Sequence, residues 1–197
     1  MFKSTKVIEL GSCAFRQPTA TSHCKYLHGY RLTAKFWFEA GSLDQNNWVV
    51  DFGGLKDLKK ILQNQFDHTT CISRLDPKLD EFKRLEQAGV CDLRIMDGVG
   101  IEKFAEWCWR VADAHVDEIT NSRCRCIKTE VFEHENNSAI YEKAFSPEFD
   151  VSTASDFMGN KTKPKSIVPE EGAIVNTNKT KTTNSWINPD STNVFGL

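Results

Sequence analysis

The sequence predicts an α+β domain in which two helices cover one face of an antiparallel four-stranded sheet. Segments with strand patterns stand near both ends of the first three quarters of the chain, and two segments with helical periodicity lie between them. The order strand, strand, helix, helix, strand, strand is typical of such a two-layer arrangement. We therefore place one domain at residues 1–145 and an irregular tail at residues 146–197.

The first strands come from two patterned stretches and one short apolar run. Residues 3–16 carry apolar side chains with little helical period, which favours an edge-like strand. Residues 30–39 alternate strictly between apolar and polar side chains, so they give the clearest strand. After a turn at residues 41–47, the apolar run at residues 48–50 is predicted to return as a short strand and to form an antiparallel hairpin.

Helical spacing of apolar residues begins at Leu55 and continues to about Gln65, and Asp51 is predicted to cap the N-terminus of this first helix. Residues 101–119 follow the 3.6-residue period closely and predict the second helix. The segments between them are predicted to be a loop at 66–70, a short surface helix at 75–88 and a brief strand at 92–96.

The last predicted elements are strands at residues 123–134 and 138–143, joined as a second hairpin. From residue 151 the composition shifts to Asn, Thr, Ser, Lys and Pro without periodicity, so we expect an extended or disordered tail. Its apolar anchors are Trp186, Ile187 and Phe195.

Composition argues against two classes of partner. The net charge of −2 and the pI near 6.2 give no basic field for a phosphate backbone, so we expect no nucleic acid partner. No apolar run approaches the roughly twenty residues that a membrane helix needs, so we expect no membrane partner. The seven cysteines are odd in number and form no C-x-x-C pair, and the N-terminus lacks a signal-peptide pattern. These features predict reduced thiols and a cytoplasmic protein.

A thiol and an imidazole lie four residues apart just before the clearest strand, at Cys24 and His28. A cysteine acts as a base or nucleophile only as the thiolate, so it needs a nearby cation, metal or imidazole. The alternative is structural, because cysteines are often buried and a single histidine near a turn is common. Asp67 beside His68 is a second candidate, since a carboxylate can orient an imidazole.

Four motifs follow one another in a fixed order along the chain. They are Cys24-x-x-x-His28-Gly29, then Val49-Val50-Asp51-Phe52-Gly53-x-Leu55-Lys56, then Asp67-His68, then Val131-Phe132-Glu133 followed by Ser138-Ala139-Ile140-Tyr141. In their order and spacing they resemble the 6-pyruvoyl-tetrahydropterin synthase and 6-carboxy-tetrahydropterin synthase family. The resemblance covers residues 5–143 and leaves the tail outside.

The resemblance implies a tunnelling fold, in which the sheets of several subunits join into a barrel lined outside by helix pairs. It also implies a homohexamer with active sites between subunits. Such an assembly would hide the edges of a small sheet by pairing them with the next subunit.

The resemblance also assigns roles to individual residues. Cys24 matches the catalytic thiol that moves protons on the side chain of a dihydropterin triphosphate, and Asp67 and His68 match the pair that assists it. Glu133 matches the glutamate that anchors the pterin, since a carboxylate can accept two hydrogen bonds from the 2-amino group and ring N–H. The remaining matches are Asp51 and Lys56, taken as structural, and Glu102, which favours the N-terminus of the second helix.

The family holds zinc with three histidines, and this chain departs from that set. His28 matches one ligand, but Tyr30 stands where the second histidine of a His-Gly-His unit is usual, and the first-strand position falls at or near Phe15. One imidazole cannot hold zinc, so the site is expected to be lost or rebuilt. His23 and Cys24 could rebuild it, at the expense of the thiol as a base.

Two functions remain open at this point. The first is a lyase acting on 7,8-dihydroneopterin triphosphate, most like the 6-carboxy branch that feeds queuosine-type deazapurine synthesis. The second is a catalytically degenerate oligomer without zinc that keeps a pterin or purine pocket through Glu133. A third interpretation, an unrelated α+β domain, disagrees with the four ordered motifs.

Overall fold

The computed structural model describes residues 1–143, which form six strands, three α-helices and one short 3-10 helix. The strands are β1 (Phe2–Phe15), β2 (His28–Ala40), β3 (Thr69–Ser73), β4 (Leu93–Met96), β5 (Cys124–His134) and β6 (Asn137–Glu142). The helices are α1 (Lys56–Phe66), α2 (Leu79–Gln87) and α3 (Ile101–Ile119), and the 3-10 helix spans His23–Lys25. The predicted tail at 146–197, with Trp186, Ile187 and Phe195, lies outside the described residues.

The strands form one mixed sheet in the order β4-β3-β1-β2-β5-β6. Strands β1, β2, β5 and β6 are antiparallel neighbours, as the sequence predicts. Strands β3 and β4 extend the sheet beside β1 in parallel. The prediction of a four-stranded, purely antiparallel sheet is therefore wrong, because the sheet has six strands and two of them are parallel to β1. One reason is that the predicted loop at 66–70 runs into β3.

Helices α1 and α3 pack on one face of the sheet, and α3 has the predicted bounds. Their buried apolar side chains are Leu58, Leu62 and Phe66 in α1 and Phe104, Ala105, Cys108, Trp109, Ala112 and Val116 in α3. Helix α2 lies over the other face, because Phe82 packs with Ile72 whereas the neighbouring Cys71 belongs to the main core. None of the helices within residues 1–143 is long and apolar enough to cross a membrane.

The predicted strand at residues 48–50 is not formed. Strand β2 already pairs with β1 on one side and β5 on the other, so it has no free edge for a hairpin partner. Val49 and Val50 are buried in the core as part of a loop. Arg123 holds this loop, since its guanidinium donates to the carbonyl oxygens of Trp48 at 3.3 Å and Val49 at 3.0 Å. The apolar run thus reflects burial of a loop.

Asp51 does not cap the first helix as predicted. Helix α1 begins at Lys56, and Leu55 before it makes no side-chain capping bond. The carboxylate of Asp51 instead accepts a hydrogen bond from the N–H of Gly53 at 2.8 Å, which closes a local turn ahead of the helix.

A buried ion pair joins α3 to β5. The guanidinium Nε of Arg125 donates to Asp113 Oδ1 at 2.9 Å, and the same oxygen accepts from the N–H of Cys126 at 3.0 Å. The side chains of Arg125 and Asp113 are only 12% and 6% exposed. The hydrogen bond with Asp113 raises the pKa of Arg125. Helix α3 and strand β5 both carry residues near the candidate site, so the Arg125–Asp113 ion pair helps to hold these residues in position.

Replacing Asp113 with Ala should lower the free energy of unfolding by about 3–5 kcal/mol, because a buried guanidinium loses its main partner. Denaturation in guanidinium chloride measures the change. Asp80→Ala is the matched control, since it breaks an exposed pair with Lys83 and should leave the midpoint unchanged. Equal midpoints for the two variants would contradict the assigned role of Asp113.

Candidate active site

The candidate active site forms where β1 ends, β2 begins and α3 starts. In the β1–β2 ladder Phe15 is paired with His28, and Cys13 with Tyr30. The ring of Phe15 also contacts Phe104 in the first turn of α3, with centroids 5.1 Å apart. The antiparallel register therefore places the side chains of Phe15, His28 and Tyr30 on the helix side of the sheet at one end.

These three side chains form a cluster of rings. The centroids of Phe15 and His28 are 4.8 Å apart, those of Phe15 and Tyr30 are 6.1 Å apart, and those of His28 and Tyr30 are 5.7 Å apart. His134 at the end of β5 adds a fourth ring, 6.4 Å from Tyr30. The distances are those of aromatic packing.

His28 is held in one tautomer. Its Nδ1 lies 2.7 Å from the carbonyl oxygen of Tyr26, which can only accept a hydrogen bond. Nδ1 therefore carries the proton, and in the neutral ring Nε2 keeps a free lone pair. His28 thus presents the arrangement of a metal ligand or of a hydrogen-bond acceptor.

Cys24 lies in the 3-10 helix of the β1–β2 connection. Its backbone N–H donates to Ser22 Oγ at 3.3 Å, and its carbonyl oxygen accepts from the N–H of Gln17 at 2.9 Å. The amide of Gln17 in turn lies against Gly100 at the start of α3, because a Cβ built on Gly100 would be 2.6 Å from Gln17 Nε2. The loop that carries the thiol is therefore tied to the end of the sheet where the ring cluster lies.

Cys24 is the candidate reactive thiol because a raised pKa or burial in the core disfavours the other six cysteines. Burial raises the pKa of Cys124 to about 11 and that of Cys126 to about 12. Burial also raises the pKa of Cys91 and, more strongly, that of Cys108, and the hydrogen bond with Cys13 raises the pKa of the buried Cys71. A hydrogen bond from the Cys71 side chain lowers the pKa of Cys13, but Cys13 is buried in the core and does not reach solvent. Cys24 is partly exposed in its loop.

Asp67 and His68 form a hydrogen-bonded pair next to β1. His68 Nδ1 lies 2.9 Å from Asp67 Oδ1, and the same carboxylate oxygen accepts from the N–H of Ser12 at 3.3 Å. The N–H of His68 donates to the Ser12 carbonyl oxygen at 2.8 Å. The His68 side chain is 86% exposed, so its Nε2 is open to a ligand or to a second chain.

Gly11 makes room for this pair, and the sequence analysis missed it. The register of β1 against β2 shifts between Glu9 and Gly11, so a β-bulge lies there. Gly11 has φ +102°, and a Cβ at this position would overlap the carboxylate of Asp67. A glycine inside a strand pattern is a known signal for a bulge, so this residue could have been found.

Glu133 lies at a second irregularity, where the β5–β6 register shifts between Phe132 and His134. Its side chain is partly buried, and within residues 1–143 its carboxylate has no hydrogen-bond or ion-pair partner. Its neighbour His134 contacts the ring of Tyr30, so Glu133 belongs to the same end of the sheet. A partly buried carboxylate without a partner is available to a ligand.

The chain therefore brings together only part of the predicted site. His28, Tyr30 and Phe15 meet directly, and Glu133 lies close by in sequence to His134. Asp67 and His68 contact each other, but no hydrogen bond joins either of them to Cys24 within the described region. His134 and Gly11 are additions that the sequence analysis did not include.

The position of the family's metal does not fit zinc in this chain. Of its three expected ligands only His28 offers an imidazole, and Phe15 offers no lone pair. No three side chains of His, Cys, Asp or Glu in residues 1–143 are grouped so that they could hold one metal ion. The rebuilt site considered for His23 and Cys24 is not preassembled in this part of the chain.

Solved structures identify the class of fold. An uncharacterized protein from Wolinella succinogenes superposes with a TM-score of 0.62 at 16% identity, covering 73% of this chain and 98% of that one. The 6-pyruvoyl tetrahydropterin synthase of Plasmodium falciparum gives a TM-score of 0.52 at 15% identity, covering 73% and 99%. The fold is thus that of a pterin synthase.

Sequence comparison identifies the family. The family model described as 6-pyruvoyl tetrahydropterin synthase matches residues 7–144, so the chain belongs to this family. The 6-carboxy-5,6,7,8-tetrahydropterin synthases of Rickettsia conorii and Rickettsia bellii are 32% and 33% identical to it over 82 residues. The aligned stretch is 41% of this chain and 59% of each relative, so it spans about three fifths of these relatives' length.

Gly11→Ala should displace Asp67 and lower the free energy of unfolding by about 2 kcal/mol, because the new Cβ meets the carboxylate and the backbone conformation disfavours alanine. Thermal unfolding measures the loss, and the amide signals of Ser12 and His68 in NMR spectra report the displacement. Gly41→Ala is the control, since no heavy atom lies within 4 Å of a Cβ built there. A Gly11→Ala protein with unchanged His68 signals would contradict the packing of Asp67 over the bulge.

Proposed function

We propose that this chain is a lyase of the 6-carboxy-tetrahydropterin synthase type that acts on 7,8-dihydroneopterin triphosphate. The observation that carries the proposal is the Asp67–His68 pair, which is hydrogen-bonded at Nδ1 and leaves the exposed Nε2 free to exchange a proton. The names of the Rickettsia relatives support the 6-carboxy branch. The resemblance of the four motifs leads us to propose that this branch supplies queuosine-type deazapurine synthesis.

The proposed chemistry begins with Cys24. As a thiolate it takes a proton from the side-chain carbon next to the dihydropterin ring, and the electron pair moves into the adjacent C=N bond of the ring, whose nitrogen is protonated. Loss of triphosphate and attack of water on the resulting carbonyl then cleave the side chain and release a two-carbon aldehyde. His68 Nε2 accepts a proton from a substrate hydroxyl or from the Cys24 thiol, while Asp67 stabilises the imidazolium that forms. Glu133 holds the pterin by accepting hydrogen bonds from its 2-amino group and ring N–H.

We place the complete active site between two copies of the chain, in a homohexamer. Two unpaired edges support this assembly. Within residues 1–143, residues 2–9 of β1 pair only with β2, because β3 reaches β1 only at residues 13–15, and β6 is the outermost strand. Val7 and Ile140 on these two strands are 56% and 51% exposed. Pairing β6 of one copy with β1 of the next would cover both edges and bring new side chains to each site.

One observation favours a second function, that of an oligomeric pterin- or purine-binding protein without turnover. The ring cluster at Phe15 and Tyr30 replaces groups that hold a metal in the family, and a metal contributes several kcal/mol of transition-state stabilisation when it polarises an oxygen. Glu133 would still bind a pterin in that case.

Mass spectrometry of the products tests the lyase proposal. Wild-type protein incubated with 7,8-dihydroneopterin triphosphate should release a carboxy- or pyruvoyl-tetrahydropterin, and both Cys24→Ala and His68→Ala should reduce turnover at least about 10³-fold. Unchanged substrate from folded wild-type hexamers would overturn the lyase and leave the binding protein.

Mixing the two inactive variants tests where the site lies. If Cys24 of one copy works with His68 of another, hexamers reassembled from equal amounts of Cys24→Ala and His68→Ala chains should regain about a quarter of wild-type activity. Differently tagged chains show that exchange has occurred. Exchanged but inactive hexamers would contradict a site between copies.

Glu133→Gln should weaken binding of 7,8-dihydroneopterin triphosphate about 10²-fold, because the amide loses the charge-assisted pair of hydrogen bonds. Isothermal titration calorimetry with Cys24→Ala protein measures binding without turnover. Glu130→Gln is the matched control, since Glu130 lies three residues earlier on β5 and already accepts from Ser138 Oγ at 2.7 Å. Equal losses for both variants would remove Glu133 from the pterin site.

A further inference from the structure

The ring cluster at the end of β1 and β2 occupies the position where the family holds its metal. Phe15 is directly paired with His28 across the ladder, and Tyr30 follows two residues later on the same side of β2. The three ring centroids lie within 4.8–6.1 Å of one another. These distances leave the rings in mutual contact.

Phe15 is a fixed part of this arrangement. Its side chain is 2% exposed and contacts Phe104 of α3 edge to face. Phe104 in turn contacts Phe66 of α1, with centroids 5.1 Å apart. The phenyl ring therefore belongs to the main core and cannot move aside for a cation without opening the packing between both helices and the sheet.

His134, the other imidazole near the cluster, is not ready to replace a missing ligand. Its Nδ1 accepts a hydrogen bond from the N–H of Asn136 at 3.2 Å. In the neutral ring the proton then lies on Nε2, so neither nitrogen has a free lone pair for a metal. His134 Nε2 is instead a hydrogen-bond donor. His28 is the reverse case, with a proton on Nδ1 and a free acceptor at Nε2.

We infer that this chain holds no zinc at this position and that Tyr30 and His28 provide hydrogen bonds to the ligand there in place of the cation. The Tyr30 hydroxyl is a donor and the His28 Nε2 is an acceptor, so together they can bind one hydroxyl group of the ligand side chain, which donates to Nε2 and accepts from Tyr30. A positioned tyrosine hydroxyl stabilises a developing negative charge on oxygen without a metal.

The metal content of the full-length protein tests the first half of this inference. Wild-type protein purified from zinc-supplemented cells should contain less than about a tenth of one zinc ion per chain, whereas Phe15→His/Tyr30→His should contain about one, because it completes a three-histidine set with His28. Adding His28→Ala to the double variant should remove that zinc. Tyr30→Phe is the ring-preserving control and should stay metal-free.

About one zinc ion per wild-type chain, removed by His28→Ala, would overturn the inference. If the double variant does not fold, the wild-type and His28→Ala measurements still decide, because neither changes the core. Metal content is read without substrate, so a failure of the proposed lyase reaction leaves this test intact.

Ligand binding tests the second half, which rests on the proposed function. In the Cys24→Ala background, Tyr30→Phe should raise the Kd for 7,8-dihydroneopterin triphosphate about tenfold. EDTA should leave the Kd unchanged both with Tyr30 intact and in the Tyr30→Phe variant. An unchanged Kd for Tyr30→Phe, or a loss of binding on adding EDTA, would remove Tyr30 from this role. Absence of binding by the protein with Tyr30 intact would overturn the assigned ligand.

Discussion

The long strand β1 is the constraint on which the rest of the structure depends. It pairs along its whole length with β2 and at its C-terminal end with β3, so it joins the antiparallel and parallel parts of the sheet. The bulge at Gly11 interrupts it once, and that interruption admits the carboxylate of Asp67. Four residues later, the buried ring of Phe15 contacts the ring of His28. One strand thus positions both halves of the candidate site.

The two halves differ in how they are held. The ring cluster is fixed by packing, because Phe15 is buried between the sheet and α3. The Asp67–His68 pair is fixed by hydrogen bonds to the backbone of Ser12 and remains exposed at the edge of β1.

Aromatic rings stand at two positions where the resemblance implies metal ligands, and this affects what stabilises this end of the sheet. A metal site gains its stability from coordination, which depends on deprotonated ligands and on metal supply. Phe15 is held by burial and by edge-to-face contact with Phe104, which in turn contacts Phe66. These contacts depend neither on deprotonated ligands nor on metal supply. The carbonyl oxygen of Tyr26 fixes the tautomer of His28, so its Nε2 is available as a hydrogen-bond acceptor.

The α+β class, the long helix at 101–119 and the antiparallel strands could be predicted from the residue order alone. Apolar residues recur every 2.0 positions in a strand and every 3.6 positions in a helix when one face is buried. The family could also be predicted from the four ordered motifs, since those depend on residue identity and spacing. The strand Thr69–Ser73 could not be predicted, because its sequence Thr-Thr-Cys-Ile-Ser neither alternates nor forms an apolar run, although its residues are buried on both faces. The sequence pattern assigned residues 48–50 to a strand, because a buried loop and a short strand have the same apolar composition. The tautomers of His28 and His134 and the packing of Asp67 over Gly11 could be seen only in the tertiary structure. Each of these depends on contacts between segments distant in the chain or on backbone groups whose position no residue name specifies.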